Sequence, residues 1–316
     1  MTLNIIVYLI GVFIKHRGKH NFSQIADYAG FISHDWLTRK FHLDWDAPKT
    51  LLYLIQRVYP FSIGSLIIDD SHSPKSYSAI NEAVSKQRSG KYKAQIMGIT
   101  VVMLLWTYGK WRIPVAIRIW KKGGPTKPQL ALEMLSEIRN KWDWMPHEVL
   151  FDSAYATQAI LCRLNDYGWT FVCQCPCSRT LNGVQLKRYK KQGYWTEVGK
   201  AWCGLRLKVI RVKGRFYLCN RLLMSRKEIL DAYSVRWTIE ETFRILKQEC
   251  GWNDCQLHDE ASYKRYLYFS LIVFLTLEAC RIKEESDKTI YQIKRDVTLG
   301  RITFSSTRIK RVLRIA

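Results

Sequence analysis

The chain predicts an α/β fold with a mainly β insertion and a small helical unit at its N-terminus. Three observations predict it. Between about residues 61 and 176, apolar runs of strand type alternate with stretches of helical periodicity. From about 177 to 222, short alternating runs are punctuated by Asn182-Gly183 and Lys213-Gly214. From Arg226 onward the pattern is helical. A chain of 316 residues can form one large or two ordinary domains, and 47% hydrophobic residues argue against disorder.

Residues 1–60 read as a separate helical unit. The apolar run 4–14 is too short for a membrane span and lacks a small-residue cleavage site after it. Residues 23–29, Gly30 and residues 33–41 read as helix, turn, helix with serine caps. That suits a helix-turn-helix DNA binder whose second helix offers Trp36, Arg39 and Lys40, and equally two helices packed without such a role.

The region 61–176 starts with an apolar run over 61–68 that ends at Asp69-Asp70. Ala94–Tyr108 and Trp111–Trp120 read as strands joined at Gly109-Lys110. Residues 128–142 repeat apolar side chains at helical spacing through Leu130, Leu132, Leu135 and Ile138, with Pro128 near the start. A short strand over 148–151 ends at Asp152, followed by a helix over 156–167 and a strand over 170–175. The order is β-β-β-α-β-α-β, with two strands terminating in aspartates. Residues 177–222 form the small antiparallel insertion, and residues 223–284 carry helices over 228–249 and 263–281. The run 266–277 is strongly apolar but too short to span a bilayer, so it predicts a core helix. The tail 285–316, with Arg301, Arg308, Lys310, Arg311 and Arg314, reads as a solvated or DNA-contacting appendage.

Fifty Lys and Arg against 27 Asp and Glu give a net charge of +23, spread along the chain. Such a surface favours polyanions, because each neutralised phosphate releases a counterion, and with the aromatic content it points to nucleic acid. Nine cysteines without regular pairing fit a reducing compartment, and no targeting segment is evident, so a soluble cytoplasmic protein is expected. Cys173, Cys175 and Cys177 would line one face of a strand, with Cys203 and Cys219 further on. Buried thiols explain them better than a zinc site, whose usual spacing is C-x₂-C.

The segment from Tyr233 to Lys247 carries the most chemistry. An α-helix turns about 100° per residue, so Arg236, Glu240 and Lys247 fall within roughly 40° of one another, with Tyr233 on the adjoining face. Ile239, Phe243, Leu246 and Cys250 form the packing stripe alongside. An acid flanked by two cations and a phenol suits a metal ion and a phosphate lying together; it is also an ordinary pattern for a solvated helix. Phosphodiester transfer needs hard carboxylate oxygens for divalent metals, and Asp69, Asp152 and Glu240 could supply them if the fold gathers them.

The motifs Ile67-Ile68-Asp69-Asp70-Ser71, Phe151-Asp152-Ser153-Ala154-Tyr155 and Tyr233/Arg236/Glu240/Lys247 occur in order across roughly residues 60–260. In these the chain resembles the DDE insertion-sequence transposases with a YREK signature, insertion-sequence family four and its relatives. The resemblance implies an RNase H-like catalytic core interrupted by a β insertion. It implies that Asp69, Asp152 and Glu240 bind two Mg²⁺ (or Mn²⁺) ions and are the catalytic acids. Tyr233, Arg236 and Lys247 would contact phosphates at the element end, and Trp195 and Trp202 could stack on an unpaired base or serve the core. The family pattern of Asp, one residue, then Ser or Thr favours Asp69 over Asp70, which would turn toward Lys75. Implied partners are DNA, as transposon ends and target, and a second copy of the chain on DNA, without a membrane. The setting would be a bacterial cytoplasm, near the nucleoid. Two alternatives stay open: an RNase H-like nuclease without strand transfer, and a DNA-binding protein that has lost catalysis.

Overall fold

The computed structural model describes residues 1–43, 45–59, 62–75, 82–89, 94–141, 144–189, 195–285 and 287–315. Four helices come first: α1 (Leu3–Lys15), α2 (Phe22–Ala29), α3 (His34–His42) and α4 (Ala47–Val58). Then follow β1 (Ile63–Pro74), β2 (Ser85–Ser89), β3 (Ala94–Tyr108), β4 (Trp111–Trp120), α5 (Lys127–Lys141), β5 (Met145–Phe151), α6 (Gln158–Asp166) and β6 (Phe171–Cys175). The next strands are β7 (Thr180–Leu181), β8 (Val184–Gln185), β9 (Trp195–Lys200), β10 (Arg206–Val212) and β11 (Arg215–Cys219). The last helices are α7 (Arg226–Ser234), α8 (Trp237–Glu249), α9 (Glu260–Lys283), α10 (Ile290–Thr298) and α11 (Ser306–Leu313).

Among the described residues, nine strands join in one mixed sheet of order β2-β3-β1-β5-β6-β11-β10-β9, with β4 also on β3. β4, β3 and β1 are antiparallel neighbours, while β1, β5 and β6 run parallel. β2 and β4 lie end to end on the side of β3 away from β1. Ten consecutive residues of β3 are buried, from Gly98 to Thr107, so the β-branched run there belongs to a strand covered on both faces. α8 lies on β1, α7 on β5 and β6, α9 on β4, and α5 on β3 and β4.

The boundaries of β3 and β4 are those the sequence predicts, because Gly109, at φ 57°, supplies the left-handed turn between them. The insertion differs from expectation in one respect. β7 and β8 form a tiny hairpin over Asn182-Gly183, but β9, β10 and β11 extend the main sheet through β11 on β6. Its strands therefore belong to the same sheet as the strands carrying the acids, reaching them through β6, instead of forming a small subdomain of their own.

Two further expectations change. The first helices pack into the rest of the molecule: α1 touches α9, α10 and α11, and α4 lies on α9. α1 buries eight of its residues, and the helix α2 is capped by Asn21, not Ser23. The basic tail is no solvated appendage. α10 and α11 turn Ile290, Ile293, Val297, Ile309, Val312 and Leu313 into the core, with Lys294 buried beside them, and leave Arg295 and Arg311 exposed. Arg308 and Arg311 are clipped to Glu284. α9 is a core helix, and among the described residues no helix is long and apolar enough to cross a membrane.

Candidate active site

The site forms where two parallel strands part. The last β1–β5 pair is Ile68 with Phe151, so Asp69 and Asp152 are each the next residue on neighbouring strands, which lie about 4.8 Å apart. β1 does not end at the aspartates, as the sequence suggested; it continues beside β3 to Pro74. Divergence of parallel strands at their carboxyl ends opens a crevice in an α/β sheet, and polar side chains collect there.

Asp69 and Asp70 are consecutive in an extended strand and so point to opposite faces. The Asp69 carboxylate accepts a hydrogen bond from the Arg236 guanidinium at 2.7 Å; the same guanidinium donates to Glu240 at 2.5 Å. Asp70 faces the other way and accepts from Lys127 Nζ at 2.7 Å and from the Tyr155 hydroxyl at 2.9 Å. Its partner is thus Lys127 at the start of α5. Lys75, the partner expected from the sequence, gives its ammonium to the carbonyls of Asn253 and Cys255. Asp152 closes a tight turn, accepting from the Ala154 backbone N–H at 2.9 Å.

The electrostatics follow from burial. Loss of water pushes the Asp69 carboxyl up to about 7, opposed by Arg236 and reinforced by Asp152 and Asp70. Burial also raises Asp152, with Asp70 adding to the effect. Burial and the Asp70 charge raise the Tyr155 phenol, which stays a donor. Clustered acids in a partly dry crevice therefore demand a cation, and Arg236 supplies one between Asp69 and Glu240.

The remaining sequence candidates are distributed unevenly. The YREK segment is not one continuous helix. Val235 and Arg236 keep helical dihedrals, but the backbone N–H groups of Val235, Arg236, Thr238 and Ile239 bond three residues back, dividing α7 from α8. Tyr233 thus lies in the last turn of α7, and Arg236 stands just before α8 with its guanidinium 5.7 Å from the Tyr233 ring centre. Lys247 donates to the His72 carbonyl at 2.8 Å, fastening α8 to β1. Trp195 is buried, stacked on Tyr189 at 5.0 Å, and Trp202 is half-buried beneath Arg179 at 5.1 Å. Neither is bonded to the acid cluster. Trp36 and Lys40 pair with each other at 5.1 Å.

Sequence reasoning quoted Tyr155 only as part of a motif, without a role, and passed over Lys127; the contacts of both with Asp70 depend on tertiary folding alone. It also passed over Trp237, 52% exposed beside Arg236. Trp237, Tyr233, Arg236, Ser153, Cys177 and Arg215 line an open cavity of about 550 Å³ next to the acids. All nine cysteines are free, and burial raises the thiols of Cys173, Cys175 and Cys219.

Fold and site together gather two aspartates where adjacent parallel strands part, a glutamate on a helix, and cations around them. The chain belongs to the transposase DDE domain family, whose model matches residues 66–275. Its fold is similar to that of piggyBac transposase, solved by cryo-electron microscopy as a synaptic complex with hairpin DNA. The TM-score is 0.54 and the identity 10%, over 99% of this chain and 73% of that one. No curated protein sequence matches the chain.

Enzymes of this family use divalent metal ions. Among the described residues no three His, Cys, Asp or Glu side chains already stand as a metal cluster. The donor chemistry nevertheless fits. Asp69, Asp152 and Glu240 offer hard oxygens, and two of them already share one positive charge.

Proposed function

We propose that the protein is a DNA transposase of the YREK type, related to insertion-sequence family four, with an RNase H-like core. It cuts DNA at the ends of its element and joins the freed 3′ end to target DNA. The observation that carries this is the Arg236 guanidinium bridging Asp69 and Glu240, acids far apart in the chain, where β1 and β5 part and Asp152 also emerges. The order β4-β3-β1-β5-β6 supports the RNase H-like reading.

Asp69, Asp152 and Glu240 would hold two Mg²⁺ or Mn²⁺ ions, which when bound activate the attacking oxygen and neutralise charge on phosphorus. Asp69 is the better choice for the first acid because it shares a counterion with Glu240, whereas Asp70 is taken up by Lys127 and Tyr155. In the first step a water oxygen attacks phosphorus, the bond to the bridging 3′ oxygen breaks, and that oxygen leaves with a proton. In the second, the freed 3′-hydroxyl attacks a phosphodiester of the target in the same manner. Arg236, Tyr233 and Lys247 hold phosphates of the element end; Arg236 offers a planar fork matched to phosphate oxygens. Two copies of the chain acting on two ends would complete the reaction.

The test is cleavage and strand transfer on DNA carrying the flanks of the coding element, with Mg²⁺ or Mn²⁺, for the wild type and Glu240→Gln. Metal-dependent 3′-end joining in the wild type, lost by roughly a thousandfold in Glu240→Gln while DNA binding persists, is the expected result. Cleavage without joining identifies a nuclease. Binding without either identifies a DNA-binding protein.

A further inference from the structure

A groove of about 980 Å³ lies away from the acid cluster, between α3 and residues 255–259 of the connection from α8 to α9. α3 presents His34, Thr38 and His42 to it, residues four apart and hence on one helical face. Lys19 borders it from the N-terminal helices, and Lys75 and His258 from the opposite side. Asp259 is its one acidic lining residue; that carboxylate lies 3.3 Å from His42 and accepts the Ser262 N–H at the start of α9. Lys19, His34, Thr38, His42 and His258 set ammonium, hydroxyl and imidazole groups among the apolar Phe22, Pro74, Cys255 and Leu257, a mixed lining that suits the alternating phosphates and sugars of a nucleic-acid backbone.

Its position relative to the acids is fixed by one strand. Pro74 and Lys75 belong to the far end of β1, the strand that carries Asp69, and Lys75 anchors that end to the Asn253 and Cys255 carbonyls at 2.7 and 2.9 Å. The five residues from Asp69 to Pro74 span roughly 17 Å at about 3.3 Å each. A duplex rises about 3.4 Å per base pair, so that span equals about five base pairs.

We propose that this groove holds the sugar-phosphate backbone of the DNA end about five base pairs from the bond that is cut. The inference rests on the transposase reading and adds a second point of contact to it. It also changes which side of α3 meets DNA: His34, Thr38 and His42 face the groove, while Trp36 and Lys40 are engaged with each other.

The test uses the full chain and a duplex about 40 base pairs long carrying one flank of the coding element. Lys19→Glu/Thr38→Glu, with Asn140→Glu/Lys141→Glu on α5 as a control for net charge, is compared with wild type by fluorescence anisotropy across a salt series. The expected result is a loss of about tenfold or more in affinity and a shallower salt dependence for the double variant, with the control near wild type. Thermal unfolding verifies that each variant is folded. Independently, an iron chelate on Thr38→Cys, in a Cys177→Ser background, is expected to cut the DNA backbone about five base pairs from the scissile bond. Affinity equal to the control, or cuts scattered along the duplex, overturns the groove assignment. If the wild type itself neither binds nor cleaves the flank, the transposase reading fails, and the groove assignment with it.

Discussion

Neighbouring aspartates on β1 meet different company: Asp69 shares Arg236 with Glu240, and Asp70 is held by Lys127 and Tyr155. The two amides therefore separate in effect. Asp69→Asn is expected to abolish strand cleavage with little loss of stability, since it relieves a carboxyl that burial already disfavours as an anion. Asp70→Asn is expected to retain measurable cleavage but to cost about 1–3 kcal/mol, because it uncouples Lys127 and weakens the bond from Tyr155. Denaturant unfolding beside a cleavage assay reads both, and the reverse pattern would make Asp70 the first acid. At this scale the sequence was legible where chemistry imposes a pattern: an acid after an apolar run, or an acid between cations at helical spacing. Tyr155 and Lys127 were illegible because their roles arise from what folding brings beside Asp70.

The elements carry their own predictions. Glu278 of α9 is wholly buried and takes the guanidinium groups of Arg112 and Arg281, tying the β3–β4 hairpin to the helix. Glu278→Ala strands two arginine charges and is expected to cost about 3–5 kcal/mol in urea unfolding. Lys283, in the last turn of the same helix, is lowered to about 8 by burial and by Arg314. Its folded value lies below its ordinary one, so between about 8 and 10.5 the unfolded chain binds the extra proton and stability rises with pH. Unfolding at several pH values in that window should show this rise in wild type and lose it in Lys283→Met. β3 and β4 could be read from their long β-branched runs and the Gly109 turn. The α7–α8 break could not, since Val235 and Arg236 keep helical dihedrals and no Gly or Pro marks the change. The C-terminal helices were hidden by cations interleaved with a narrow apolar stripe, Lys294 and Arg295 falling among Ile290, Ile293 and Val297.

Across the whole molecule, the sequence conveyed the succession of strands and helices around the acids, β2 excepted, but not how the ends of the chain close over the core. Packing of α1 against α9, α10 and α11 joins the two termini in one layer, a long-range relation that no local periodicity encodes. Removing residues 286–316 would uncover apolar faces of α1 and α9, and the truncated chain is expected to aggregate at concentrations where the full chain remains dispersed, as light scattering would register. The sheet has the opposite character at its other margin. β9 to β11 are added outward from β6, each strand pairing only with its neighbours, so the inner register of β1 and β5 does not depend on how many strands follow. Hairpins could be gained, lost or exchanged at that border without disturbing the acids. The insertion is thus the part of the architecture most open to evolutionary tinkering and to grafting by design.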